Sequence, residues 1–200
     1  MTNKETSKNI KRLTGIAVLS AVIVVLQVVS ALLARFTPLP FSITLTLIPI
    51  VVGSAVYGKR AGAFLGGVFG IITLILCIVG LDIGGNILWT ANPLLTALLC
   101  LIKGMAAGYF AGVFYALIAK KNSDLGVIAA AIVSPVVNTG IFLLAMFLFY
   151  NDILTAWAAG TPILSYMIFG IAGINFMIEL VSNLILSPVA SRILKIKSKM

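Results

Sequence analysis

Two hundred residues suffice for one compact domain, but 61% of them are apolar and only 10% are charged, against about 25% charged in soluble proteins. With a mean hydropathy of +1.19, a water-soluble fold of this size would leave long apolar runs on its own surface. The composition excludes a soluble globular protein and implies an all-α integral membrane protein. A net charge of +9 at pH 7 would suggest a nucleic-acid partner on a soluble chain; its placement here argues otherwise. There is no histidine, and Cys77 and Cys100 sit in apolar runs without metal-ligand spacing. They read as small buried apolar residues, so neither a zinc site nor a disulfide is expected.

A membrane-crossing helix needs about 20 apolar residues at 1.5 Å rise. In chain order the candidates run approximately over Leu13–Ala34, Ser42–Tyr57, Ala61–Gly80, Pro93–Ala119, Gly126–Tyr150 and Ile163–Ile185. The first could pass for a signal peptide because Lys11 and Arg12 precede it, but it is longer than such an apolar core and no clean cleavage site follows. The second is short and carries Pro49; only Gly58, Lys59 and Arg60 separate it from the third, which makes the two antiparallel. The expected architecture is a six-transmembrane-helix bundle, one domain over 1–200 with short basic tails at both ends.

Lys4, Lys8, Lys11, Arg12, Lys59, Arg60, Lys120, Lys121, Arg192, Lys195, Lys197 and Lys199 then share one side. Lys and Arg are retained on the cytoplasmic face, so both termini are expected there, in a cell membrane. The basic excess is a topology signal and implies no nucleic-acid partner. The longer connections, 35–41, 81–92 and 151–162, fall outside, and Trp89 and Trp157 lie on two of them. They are either an interfacial aromatic belt or the lining or lid of a pocket.

Helices in lipid pack through small residues. Span three has Gly62, Gly66 and Gly70, and span four has Gly104, Gly108 and Gly112, each set at four-residue spacing. These are packing ridges; no strand precedes them as a phosphate loop requires. Ala17 and Ala21 form a second small-residue step in span one. It either packs within the chain or docks another subunit.

Polar groups at membrane depth are costly and mark function. Lys103, Asn138 and Asn175 fall near one level, Thr139 adjoins Asn138, and Glu179 and Asn183 follow Asn175 by successive turns on one helix face. Two readings stand: a Lys103–Glu179 ion pair with interhelical amide bonds, or a polar floor beneath an outward-facing cavity for an anionic or amide-bearing ligand. The candidate substrate-binding residues are Trp89, Asn92, Lys103, Asn138, Thr139, Asn175 and Glu179, with Thr73 expected to lie away from this layer. No metalloprotease, nucleophile-elbow or P-loop motif occurs, and the acids offer no intramembrane carboxylate pair. An enzyme is therefore not expected, and any ATP is used by another subunit.

The pattern of six spans, the alanine step, Leu47-Ile48-Pro49-Ile50-Val51-Val52-Gly53, Tyr57-Gly58-Lys59-Arg60-Ala61-Gly62, Asn138-Thr139 and the stretch Asn175 to Glu179 resembles the substrate-binding S components of energy-coupling factor (ECF) vitamin transporters. Gly58-Lys59 departs from the Gly-Pro common at that turn. The resemblance implies capture of a small water-soluble vitamin by spans four to six and the outer loops, with no cofactor in this chain. It implies as partners a transmembrane coupling subunit, contacted by Ala17 and Ala21, and two ATPase subunits. The Ile-Pro-Ile, Asn-Thr and Asn-Phe-Met-Ile-Glu runs are most similar to the pantothenate type. Pro40-Phe41-Ser42-Ile43-Thr44-Leu45 is similar to the biotin type, with Thr46 where a glutamine is expected, and folate, riboflavin and pyridoxine types stay open. A stand-alone proton-coupled carrier using Glu179 is the alternative.

Overall fold

A computed structural model describes residues 3–34 and 46–199. Arg35 and the segment from Pro40 to Leu45 lie outside the described residues. All regular structure described is helical: α1 (Asn3–Ala34), α2 (Leu47–Tyr57), α3 (Lys59–Val79), α4 (Ile83–Ala91), α5 (Pro93–Ile118), α6 (Ser123–Phe149), α7 (Asn151–Ala158), the single turn α8 (Ile163–Ser165), a π-helical segment Tyr166–Ala172, and α9 (Gly173–Lys199).

Five helical stretches among the described residues are long and apolar enough to cross a membrane, within α1, α3, α5, α6 and the run from α8 through α9. The expected second span differs. Its described part is α2, with 11 residues, which rises about 16 Å, roughly half of a 30 Å hydrocarbon core. Two connections expected as loops are also helical. Asp82 caps α4 by accepting from the Gly85 N–H at 2.9 Å, and α7 follows Tyr150 directly.

The glycine stripes become the tightest seam. A Cβ on Gly62 would overlap the carbonyl of Gly108, one on Gly66 that of Gly104, and one on Gly112 the backbone of Lys59. The antiparallel backbones of α3 and α5 touch there because no side chain intervenes. Gly70 continues the row against Cys100; beyond it the same faces carry Thr73 and Cys77 on α3 and Cys100 and Thr96 on α5, so side chains take the place of touching backbones.

Short α2 fills the end of the bundle that bears Lys59 and Arg60. Leu47 and Ile50 pack with Ile23, Leu65 and Phe69, while Val51 packs with Ala111, Ala130 and Ala131. The Arg12 guanidinium donates to the Tyr57 carbonyl at the end of α2, 3.2 Å away. A third apolar cluster, Leu88, Leu99, Met146, Tyr150, Leu154 and Ile171, closes the opposite end. The chain turns there at Gly80, whose φ of 78° is open to glycine but strained for other residues.

Two prolines sit inside helices, and each leaves a carbonyl four residues back without its usual N–H. The Asn183 amide of α9 donates to the Ala131 carbonyl that Pro135 leaves open, at 3.3 Å. Ser187 donates to the Leu184 carbonyl that Pro188 leaves open, at 2.8 Å. The first of these also ties α9 to α6.

Candidate ligand-binding site

Where the glycine seam ends, the bundle opens into a chamber. It gives the centres of water-sized molecules about 90 Å³ of room, several times the roughly 10–15 Å³ that one water needs. Thr96, Leu99, Cys100 and Lys103 line it from α5, at the i, i+3, i+4, i+7 spacing of a single helix face. Phe69, Thr73 and Cys77 do so from α3, Asn138, Thr139 and Phe142 from α6, and Phe176 and Glu179 from α9. Gln27 reaches it from α1, and Asp82, Gly84, Gly85 and Leu88 roof it from α4 and its cap. Ile171 adds an apolar wall from the π-helical segment, a local widening that recurs at functional positions.

The Lys103 ammonium stands over the Phe142 ring, 5.2 Å from its centroid, an attraction that strengthens where water is scarce. Glu179 is 3% exposed. The Asn138 side chain is 7% exposed, and its Oδ1 has no hydrogen-bond partner among the described residues. A buried amide oxygen without a donor is costly, and the residue that carries it is part of the chamber wall. Gln27 and Thr73, both buried, join through an Nε2–H to Oγ1 bond of 3.1 Å.

The roof is held by hydrogen bonds. Asn92 caps α5, its side chain accepting from the Leu95 N–H at 3.1 Å. Thr96 donates to the Asn92 carbonyl at 2.8 Å, and Tyr150 reaches both Thr96 and that carbonyl, at 2.8 and 3.3 Å. Asn86 ties α4 to the Cys77 carbonyl at 2.8 Å.

Of the residues singled out in the sequence, Lys103, Asn138, Thr139 and Glu179 therefore share one chamber. Trp89 is half-buried on α4 and is not among its lining residues, and Asn92 acts as a helix cap. The side chain of Asn175 lies outside the described residues. Thr73, expected away from the polar layer, is instead part of the wall. Gln27, Asp82 and Thr96 were not anticipated; the available signal for Gln27 was a lone amide inside the apolar run from Leu13 to Ala34. Ala17 and Ala21 are exposed on α1. Among the described residues, no group of three or more Cys, Asp or Glu could hold a metal ion.

The family model described as "ECF transporter, substrate-specific component" matches residues 11–191. The chain belongs to this family. It is a multi-pass membrane protein and an S component by sequence, a class defined by transport rather than by chemical conversion. This S component is also 28% identical, over 185 residues, to the pantothenic acid transporter PanT of Lactococcus lactis subsp. cremoris (strain MG1363). That similarity covers 86% of the present chain and 87% of the relative.

Proposed function

We propose that this S component captures pantothenate outside the cell and delivers it to an ATP-driven importer. The observation that carries the reading is the chamber itself. The Lys103 cation and the Asn138 carboxamide line a common space walled by Phe69, Phe142 and Phe176. Pantothenate complements that set with a carboxylate for the ammonium, hydroxyl and amide groups for the carboxamide, and a dimethyl group for the rings. Similarity to a pantothenic acid transporter supports the same choice.

Counting α2 and the chain before it as the second of six crossings puts both termini on the side that holds Lys59, Arg60, Lys120 and Lys121. The positive-inside tendency makes that side cytoplasmic, and the chamber then lies toward the exterior. The exposed step of Ala17 and Ala21 would admit a close helix from the transmembrane coupling subunit, whose two ATPase partners supply the energy.

Calorimetry of pantothenate with the purified chain tests the reading, with Lys103→Ala as comparison. Charge-assisted hydrogen bonds contribute about 1.5–3 kcal/mol, so the variant should bind about 10- to 150-fold more weakly. Tight binding of biotin, folate, riboflavin or pyridoxine with none of pantothenate would reassign the substrate. The buried Glu179 carboxyl in the chamber wall favours one other mechanism, proton-coupled carriage. Uptake by vesicles holding this chain alone under an imposed pH gradient would establish it and displace the ATP-driven reading.

A further inference from the structure

We propose that Gln27 is a ligand-recognition residue contributed by α1, presenting one Nε2 hydrogen to an oxygen acceptor on the bound vitamin. The inference rests on the vitamin reading above and deepens it by adding a donor from a helix outside spans four to six.

The argument is one of hydrogen-bond inventory. A carboxamide carries two donor hydrogens on nitrogen and two acceptor sites on oxygen, and its two ends look alike unless the neighbours distinguish them. Here they do. Thr73 has one hydroxyl hydrogen, which it gives to the Phe69 carbonyl at 2.9 Å. Toward Gln27 it can only accept, and it does so from Nε2 at 3.1 Å. Thr46 donates to Gln27 Oε1 from the other side at 2.8 Å. Two hydroxyls thus fix the amide end for end, with nitrogen toward Thr73 and oxygen toward Thr46.

That arrangement consumes one of the two Nε2 hydrogens. The other has no protein acceptor among the described residues, and Gln27, 2% exposed, lines the chamber. A merely structural glutamine among Val24, Val25, Leu26, Val28 and Val29 would leave a buried donor idle, at a cost that water or a guest must offset. The chamber then offers three complementary groups from three helices: the Gln27 donor on α1, the Lys103 cation on α5 and the Asn138 carboxamide on α6. A small carboxylic acid with a nearby carbonyl or hydroxyl oxygen and an amide or hydroxyl hydrogen satisfies all three.

The test uses the full chain in lipid nanodiscs and calorimetry with pantothenate, biotin, folate, riboflavin and pyridoxine, carrying forward whichever binds the wild type. Gln27→Leu keeps the volume and removes the donor; Gln27→Glu replaces it with an acceptor. Each should weaken binding about 10- to 100-fold. Thr73→Val should weaken it because the amide is no longer oriented, whereas Thr73→Ser keeps the hydroxyl and should restore affinity to within about threefold of wild type. Folded Gln27→Leu protein with unchanged affinity overturns the role of Gln27 alone. Should Gln27→Leu fail to fold, the Thr73 pair decides, and equal affinities of its two variants overturn the inference. If none of the five vitamins binds the wild type, the vitamin reading falls and the inference with it.

Discussion

Pro135 and Asn183 form a pair whose energetic dependence can be measured. Pro135 cannot donate to the Ala131 carbonyl, and the Asn183 amide does so from α9 at 3.3 Å. Asn183→Ala therefore removes an interhelical bond and orphans a buried carbonyl. Interhelical hydrogen bonds in membranes average about 0.6 kcal/mol, with about 1.7 at most, and an unsatisfied buried group costs about 1–3 kcal/mol. A net loss of about 1–2 kcal/mol is expected. In a Pro135→Ala background the new backbone N–H closes the helical ring to Ala131, and losing Asn183 should then cost under about 0.5 kcal/mol because the carbonyl is already satisfied. The assay is reversible unfolding of the four proteins in mixed micelles with increasing denaturing detergent. A coupling near 1 kcal/mol is expected; equal costs of Asn183→Ala in both backgrounds would refute the reasoning. Asn183 lies one turn from Glu179 on the same helix, so the single variant should also loosen the chamber floor.

Three further outcomes follow from the geometry. Gly66→Leu drives a side chain into the Gly104 carbonyl and the backbone of Met105, where nothing flexible can yield; unfolding should show a loss of more than about 3 kcal/mol, and wild-type stability would contradict the seam. Cys77 and Cys100 are the chain's two cysteines and both line the chamber, so saturating pantothenate should slow their alkylation by a small maleimide at least about tenfold, as occupancy near 100 times Kd allows. Equal rates with and without pantothenate would place it elsewhere. Ala17→Trp or Ala21→Trp changes an exposed face of α1, so ligand affinity should stay within about twofold while uptake by the assembled importer is lost. Normal uptake would remove the docking role.

Much of this was legible in the sequence because the bilayer makes each polar residue conspicuous. Lys103, Asn138, Thr139 and Glu179 stand out against apolar neighbours, and helical rise alone put Lys103, Asn138 and Asn175 near one level, with Glu179 one turn along from Asn175. The glycine rows likewise marked packing ridges on what became α3 and α5. What they did not announce is that the seam stops at Gly70 and Cys100, so that Thr73 turns from a packing position into a chamber wall. Periodicity locates a residue on a helix face, but which face looks into a cavity depends on where neighbouring helices part.

Gln27 escaped notice for a related reason. One glutamine in a long apolar span is tolerable wherever it finds partners, and its partners Thr46 and Thr73 come from two other stretches of the chain. The helical connections were missed by reading length rather than capping. Asp82 three residues before Gly85, and Asn92 directly before Pro93, are start signals for α4 and α5. The described part of the second span, α2, fills one end of the bundle, and the start of that span, 42–45, lies outside the described residues.

The most direct measurement is a structure of this S component with pantothenate bound. The account predicts ligand density in the chamber between α1, α3, α5, α6 and α9, with the carboxylate within about 3 Å of the Lys103 ammonium and a polar ligand group against the Asn138 carboxamide. Density outside that chamber, or inside it with Lys103 and Asn138 both untouched, would contradict it.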